Sequence, residues 1–333
     1  MGKTRIGVLA IVMALLAAAC AGAGAGAGAP KQLTEVKLVI PLPTLFTTGL
    51  PVYVAQEQGF YAQQGVKVEM VNTQGGGSNV QTVVSGSADI GLETGPFAVL
   101  AAYEKGAPVR IISASTTGLD LFWFASGTSN YRTLKDLAGQ KVGFSEPGSS
   151  SDVGVHAMNA ALAAQGLKPV IPQALGGIAQ QLAAVKTGQV AAGFSAPPTF
   201  LDQVASGALR IVVKGSDLGE YRDVAVRVNF ANSTFIQAHP DAVRGFLKAE
   251  RDAVAWIFQH HDEAIALWKK KADLKADDKT LLSVFDFYSP QTQRFAPLGG
   301  QDKILADAQA YGFLAAPLSS ARIKEVFDLQ YVP

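Results

Sequence analysis

Gln64-Gly65-Val66-Lys67, then Gly75-Gly76, then Val83-Val84-Ser85-Gly86-Ser87-Ala88-Asp89-Ile90-Gly91 form a pattern that the chain writes twice. It returns as Gln165-Gly166-Leu167-Lys168, Gly176-Gly177 and Ala184-Val185-Lys186-Thr187-Gly188-Gln189-Val190-Ala191-Ala192-Gly193. Each copy reads as helix end, strand, Gly turn, helix, Gly turn, strand. The offset, about 101–102 positions from Gly65 to Gly166 and from Gly86 to Gly188, is too long for a solenoid repeat. Two α/β units of this kind predict two similar lobes with a cleft between them.

Outward from the repeat, strands are predicted at 36–40, 66–71, 89–92 and 109–113, with helices opened by Pro51, the 75–78 Gly-Ser turn and Pro96. Alternating strands and helices imply a parallel sheet covered on both faces. The β-prone Leu121-Phe122-Trp123-Phe124 carries the chain out of lobe one, and 223–230, with Val224, Val226 and Val228 on one face, brings it back. Lobe one is therefore expected over 34–125 and 226–333, and lobe two over 126–225. Thr133-Leu134-Lys135-Asp136 looks like a capped helix start. From Pro240 onward no strand–helix alternation remains. Helices are expected from Pro240 and over 262–271, 278–288, 301–312 and 319–329, packed as a tail on lobe one.

The N-terminus has a short basic region, then an apolar run over 6–19 that is shorter than the roughly 20 residues a membrane span needs. Residues 1–19 read as a cleavable secretion signal. Cys20 is the single cysteine, so no intramolecular disulfide forms. Its setting after Ala17-Ala18-Ala19 resembles a bacterial lipobox, with Ala17 in place of the usual leucine. Ordinary cleavage after an Ala-x-Ala site is the alternative. The Ala/Gly alternation that follows makes 20–33 a tether. Hydrophobic residues at 48% and charged ones at 17% fit large buried sheets. The formal net charge of +1, without a basic run or interleaved aromatics, argues against nucleic acid as a partner.

Ligands of open α/β sheets bind beyond the carboxyl ends of strands. The strand-end loops nominate Thr47, Thr48, Gly76, Gly77, Ser78, Glu93, Thr94, Gly95, Glu146, Ser149, Ser150 and Ser151, to which Ser195 and Arg227 are added. Glycines and serines at helix starts present N–H and O–H donors to an anion. Each serine also has a plain reading as an N-cap. Arg227 is either an exposed edge arginine or a cation over the cleft. Glu93 and Glu146 are either solvated loop acids or partners for a ligand amine. Phe46 and Trp123 are either core or a hydrophobic wall. No H-E-x-x-H, nucleophile elbow, P-loop or complete dinucleotide motif is present, so no cofactor or metal is expected.

Gly59-Phe60-Tyr61, Gly65-Val66-Lys67-Val68-Glu69, Ser85-Gly86-Ser87-Ala88-Asp89-Ile90-Gly91, Lys105-Gly106-Ala107-Pro108-Val109, the 134–143 segment and Pro240-Asp241-Ala242-Val243 occur in order. Together they resemble the nitrate/taurine/alkanesulfonate-type solute-binding proteins of ABC importers. The resemblance implies an α/β fold of two Rossmann-like lobes joined by two crossover strands, the type II periplasmic binding protein. It also implies a monomer that captures a small-molecule ligand by hinge closure and hands it to a membrane permease and ATPase. The ligand expected is a small organic anion, a sulfonate or carboxylate, zwitterionic or aromatic in the wider range. The alternatives are a thiamine-precursor pyrimidine, a flavin, or a pyrimidine-synthase-like enzyme on the same fold. Placement outside the cytoplasmic membrane follows, with membrane contact only through a lipid on Cys20.

If the targeting reading holds, mass spectrometry of the protein from its native host shows a mature N-terminus at Cys20 carrying diacylglycerol. An intact Met1 contradicts both lipidation and secretion.

Overall fold

The computed structural model describes residues 33–333. The signal, Cys20 and nearly all of the tether lie outside the described residues. In chain order the strands are β1 (Thr34–Pro41), β2 (Val66–Thr73), β3 (Ile90–Thr94), β4 (Val109–Thr117), β5 (Phe122–Ser126), β6 (Lys141–Phe144), β7 (Ile171–Ala174), β8 (Gly193–Ser195), β9 (Leu209–Lys214) and β10 (Ala225–Asn232). The helices are α1 (Leu50–Glu57), α2 (Phe60–Gln63), α3 (Gly76–Val84), α4 (Pro96–Glu104), α5 (Ser150–Ala163), α6 (Ile178–Lys186), α7 (Leu201–Ala205), α8 (Ser233–Ala238), α9 (Pro240–Ile257), α10 (His261–Lys271), α11 (Asp278–Leu282), α12 (Gln301–Ala310) and α13 (Ser320–Val326).

The first sheet runs β2-β1-β3-β10-β4. The second half holds β8-β5-β9 and β6-β7, linked by a bridge between Val142 and Ala192. Both copies of the repeat become strand–helix–strand units, β2-α3-β3 and β7-α6-β8. This is the expected α/β architecture, two Rossmann-like halves with the chain crossing twice, through 118–121 and 215–224. The helical tail sits on the first half: α9 and α10 pack on α1, α12 on α4 and α13 on β4.

Two details differ from the sequence expectation. The sheet is mixed, because β10 runs antiparallel between β3 and β4. A strand returning from the second half enters from the opposite direction, and local alternation does not name its neighbours. β5, which a boundary at 125 leaves with the first half, pairs with β8 and β9. Of the tail helices, 278–288 breaks after Leu282 into a 3₁₀ turn, and 319–329 ends at Val326.

Every residue of β3 is buried, as a strand covered on both faces requires. In α9, Val243, Phe246, Leu247, Ala253, Val254 and Ile257 are buried at helical spacing and Pro240 opens the first turn. Under α5, Trp123 is fully buried and donates its indole N–H to the Gly143 carbonyl at 3.1 Å. Gly154 of α5 lies so close that an added Cβ falls 2.1 Å from the Trp123 ring. Gly154→Ala is therefore expected to cost about 1–3 kcal/mol by overpacking, read as a lower urea midpoint with an unchanged slope. Wild-type stability in that variant contradicts the packing described.

Candidate functional site

The C-terminal ends of β1, β3 and β6 and the N-termini of α3, α4 and α5 converge on a small cavity of about 30 Å³. The first half contributes Thr48, Gly75, Gly76, Glu93 and Gly95 with an apolar rim of Pro41, Leu42 and Leu45. The second half contributes Ser145, Ser149, Ser150, Ser151 and Phe194, the first crossing contributes Leu121, and β10 contributes Arg227. The halves meet closely. The Ala98 N–H donates to the Gly148 carbonyl at 3.2 Å, and a Cβ on Gly95 falls 2.3 Å from that same oxygen.

Arg227 is 3% exposed, so it is not an edge arginine. Its guanidinium lies between two buried carboxylates: Nη2 is 2.7 Å from Asp120 Oδ1, and Nη1 is 2.8 Å from Asp120 Oδ2 and 3.3 Å from Glu93 Oε2. It also donates to Thr47 Oγ1 at 3.0 Å and, from Nε, to Ser150 Oγ at 3.2 Å. Burial works against the guanidinium's charge, but the Asp120 and Glu93 carboxylates hold its pKa above the usual value. Glu93 accepts from Ser115 and Thr116, and burial pushes its pKa up despite Arg227. Its backbone is left-handed at φ 53°, a strain of about 1–3 kcal/mol that is kept where geometry at a site demands it. Tyr288 donates to Asp120 Oδ2 at 2.8 Å. Two carboxyl groups thus share the one guanidinium.

Across the cavity, the Oγ atoms of Ser145, Ser149 and Ser151 form a triangle with 2.9 Å sides. Ser149 is the N-cap of α5 and accepts from the Asp152 N–H, so the plain reading holds for that serine. Asp152 accepts from the Gly148 N–H at 2.8 Å, placing an acid on the same helix start. At α3, Glu146 Oε2 accepts the Ser78 N–H at 2.8 Å and Oε1 accepts the Ser78 hydroxyl at 2.5 Å. Both Glu93 and Glu146 thus have protein partners and neither is a solvated loop acid.

Other nominated residues are committed elsewhere. Phe46 stacks on Tyr288 at 4.7 Å and meets Trp268 and Phe285 edge-on, so it is core and not a cleft wall. Trp123 is core for the reason given above. Ser195 is buried and points to the Thr199 carbonyl, while its strand neighbour Phe194 reaches the cavity. Alternate strand residues face opposite ways, which a single-residue guess at β8 does not resolve. Thr94 accepts from Asn79 Nδ2 at 3.0 Å and orients the turn. Sequence reasoning missed Asp120, Ser145, Leu121 and Glu250. The signal for Asp120 was present: one acid in the apolar crossing Leu119-Asp120-Leu121.

Behind Glu93 lies a second cavity of about 10 Å³, lined among others by Thr47, Ser115, Glu250 and Gln293. Glu250 of α9 is 3% exposed and bonds to the Tyr61 hydroxyl. Burial pushes its carboxyl up to about 8 from an ordinary 4.5.

The family model described as "NMT1/THI5 like" matches residues 47–264. The chain belongs to that family. A "Putative aliphatic sulfonates-binding protein" of Bacillus subtilis (strain 168) is 26% identical over 258 residues, covering 76% of this chain and 73% of that one. A 4-amino-5-hydroxymethyl-2-methylpyrimidine phosphate synthase of Uromyces fabae is 30% identical over 99 residues, but the match spans only 28% of either protein. Among solved structures, the periplasmic aliphatic sulphonate binding protein of Escherichia coli superposes with a TM-score of 0.68 at 20% identity, covering 90% of this chain and 92% of that one. The resemblance drawn from the motifs is thereby shown, and the fold is that of the periplasmic solute-binding proteins. Among the described residues, no helix is long and apolar enough to cross a membrane.

Between pH 4.5 and 8 the folded chain holds a proton on Glu250 that the unfolded chain has released. Stability therefore falls as pH rises through that window, by about 3–5 kcal/mol in all from this group. Glu250→Gln should flatten the decline, so that urea unfolding at pH 8.5 finds the variant more stable than the wild type. Parallel pH profiles for the two proteins contradict the buried, protonated state of Glu250.

Proposed function

We propose that this chain is an extracytoplasmic solute-binding subunit that captures a small zwitterionic ligand and delivers it to an ABC permease and its ATPase. The observation that carries the ligand class is the pair of carboxylates on the one guanidinium of the site, Asp120 and Glu93 on Arg227. A plain anion finds the Arg227 charge already matched twice. A ligand nitrogen donates to Glu93, the carboxyl group on the cavity wall, while the serine hydroxyls of 145–151 receive an acid group. The proposed lobes are those expected from the sequence with β5 moved to the second, 34–121 with 226–333, and 122–225. Ligand contacts to both favour the closed form, since only differential affinity shifts such an equilibrium. Capture without turnover is favoured by the breadth of the match to a sulfonate-binding relative, against a synthase match limited to 99 residues.

A second reading has its own support. An aminopyrimidine also presents donor nitrogens, and the name of the synthase relative carries such a group.

A thermal-shift panel separates these classes. A ligand at 100 times its Kd stabilises by about 2.7 kcal/mol. Taurine-like zwitterions should shift the wild type, whereas ethanesulfonate and nitrate should not. A response confined to aminopyrimidines moves the assignment to the second reading. Equal shifts from taurine and ethanesulfonate contradict the role given to the carboxylates.

A further inference from the structure

The N-terminus of α3 has no cap of its own. Its N-cap is Gly75, which offers no side-chain acceptor, and no acid stands in its first turn. The cap is supplied from the other half by Glu146, which follows β6 and lies 68 positions along the chain. The fit is specific. Both carboxylate oxygens are used, on the Ser78 N–H and hydroxyl. A Cβ on Gly75 falls 2.8 Å from Glu146 Oε2, and one on Gly77 falls 2.9 Å from it, so the two glycines make the room that the carboxylate occupies. A helix start of this kind, with free N–H groups and a hydroxyl, suits any two-oxygen anion.

We infer that Glu146 is a specificity-determining residue: its carboxylate fills the anion-binding start of α3 and so excludes plain sulfonates, carboxylates and nitrate from the site. The inference deepens the ligand class proposed above. A ligand anion at α3 competes with Glu146, and with it loses the clasp that Glu146 forms between the halves. The acid group of a productive ligand is left with the serine hydroxyls, and discrimination arises from a built-in competitor as much as from an attractive contact.

The test uses methanesulfonate, nitrate and sulfate as probes, against chloride at equal ionic strength, with affinity read by calorimetry and melting temperature. Glu146→Ser should bind methanesulfonate about tenfold or more tighter than wild type, the scale of a favourable helix-terminus interaction. Adding Gly77→Ala to Glu146→Ser puts a methyl group where the anion would lie and should remove the gain. Glu146→Ala, which also empties the room at the start of α3, decides the matter by the same gain if the serine variant does not fold. No gain in either variant overturns the inference, as does a gain that survives Gly77→Ala. Tight methanesulfonate binding by the wild type separates the two claims: loss in Gly77→Ala overturns the role of Glu146, and loss only in Arg227→Ala overturns the ligand class.

Discussion

One guanidinium held between two buried carboxylates fixes the rest of this molecule. Arg227 comes from the strand that returns the chain to the first sheet, Asp120 from the crossing that leaves it, and Glu93 from the end of β3. Removing charges from water costs several kcal/mol each, and removing one partner of such a cluster typically costs about 3–5 kcal/mol. The three groups are therefore obliged to stay together, and in doing so they tie the first crossing and the returning strand β10 to the floor of the cavity. The left-handed backbone at Glu93 is the local cost of aiming its carboxylate at Arg227.

The same logic governs the helix starts around the cavity. The α5 start carries Asp152 and the α3 start carries Glu146. Each is a place where a fold of this kind offers donors to an anion, and each already has an acid from the chain itself. What the cavity wall itself presents is the serine hydroxyls of 145–151 and the Glu93 carboxyl group. The ligand is thereby asked to bring the complementary nitrogen.

Much of the fold was legible because its signals are local. The doubled 64–91 pattern yields β2-α3-β3 and β7-α6-β8, and the apolar spacing of α9 marks its buried face. The position of β10 between β3 and β4 was not legible, since partner choice is decided by tertiary packing. The candidate cavity was legible in outline: the strand-end rule nominated Gly76, Glu93, Gly95 and the 149–151 serines, which line it together with Arg227, nominated as a lone arginine in a Val-rich strand. It failed on side-chain direction, as with Ser195 against Phe194, and on aromatic residues whose packing partners lie far along the chain, as with Phe46 and Trp268. Glu250 was missed because nothing local distinguishes an acid buried in a network from one in water, whereas Asp120, flanked by Leu119 and Leu121, carried a local signal that the strand-end rule does not use.

The central claim is that the solute brings a basic or donor nitrogen to an acidic site. Its most direct test is the identity of the molecule that co-purifies from the native host, released by denaturation and measured by mass spectrometry. The account predicts one small compound, stoichiometric with the protein, whose formula and fragments contain such a nitrogen. A stoichiometric nitrogen-free sulfonate or carboxylate, or nitrate, contradicts it.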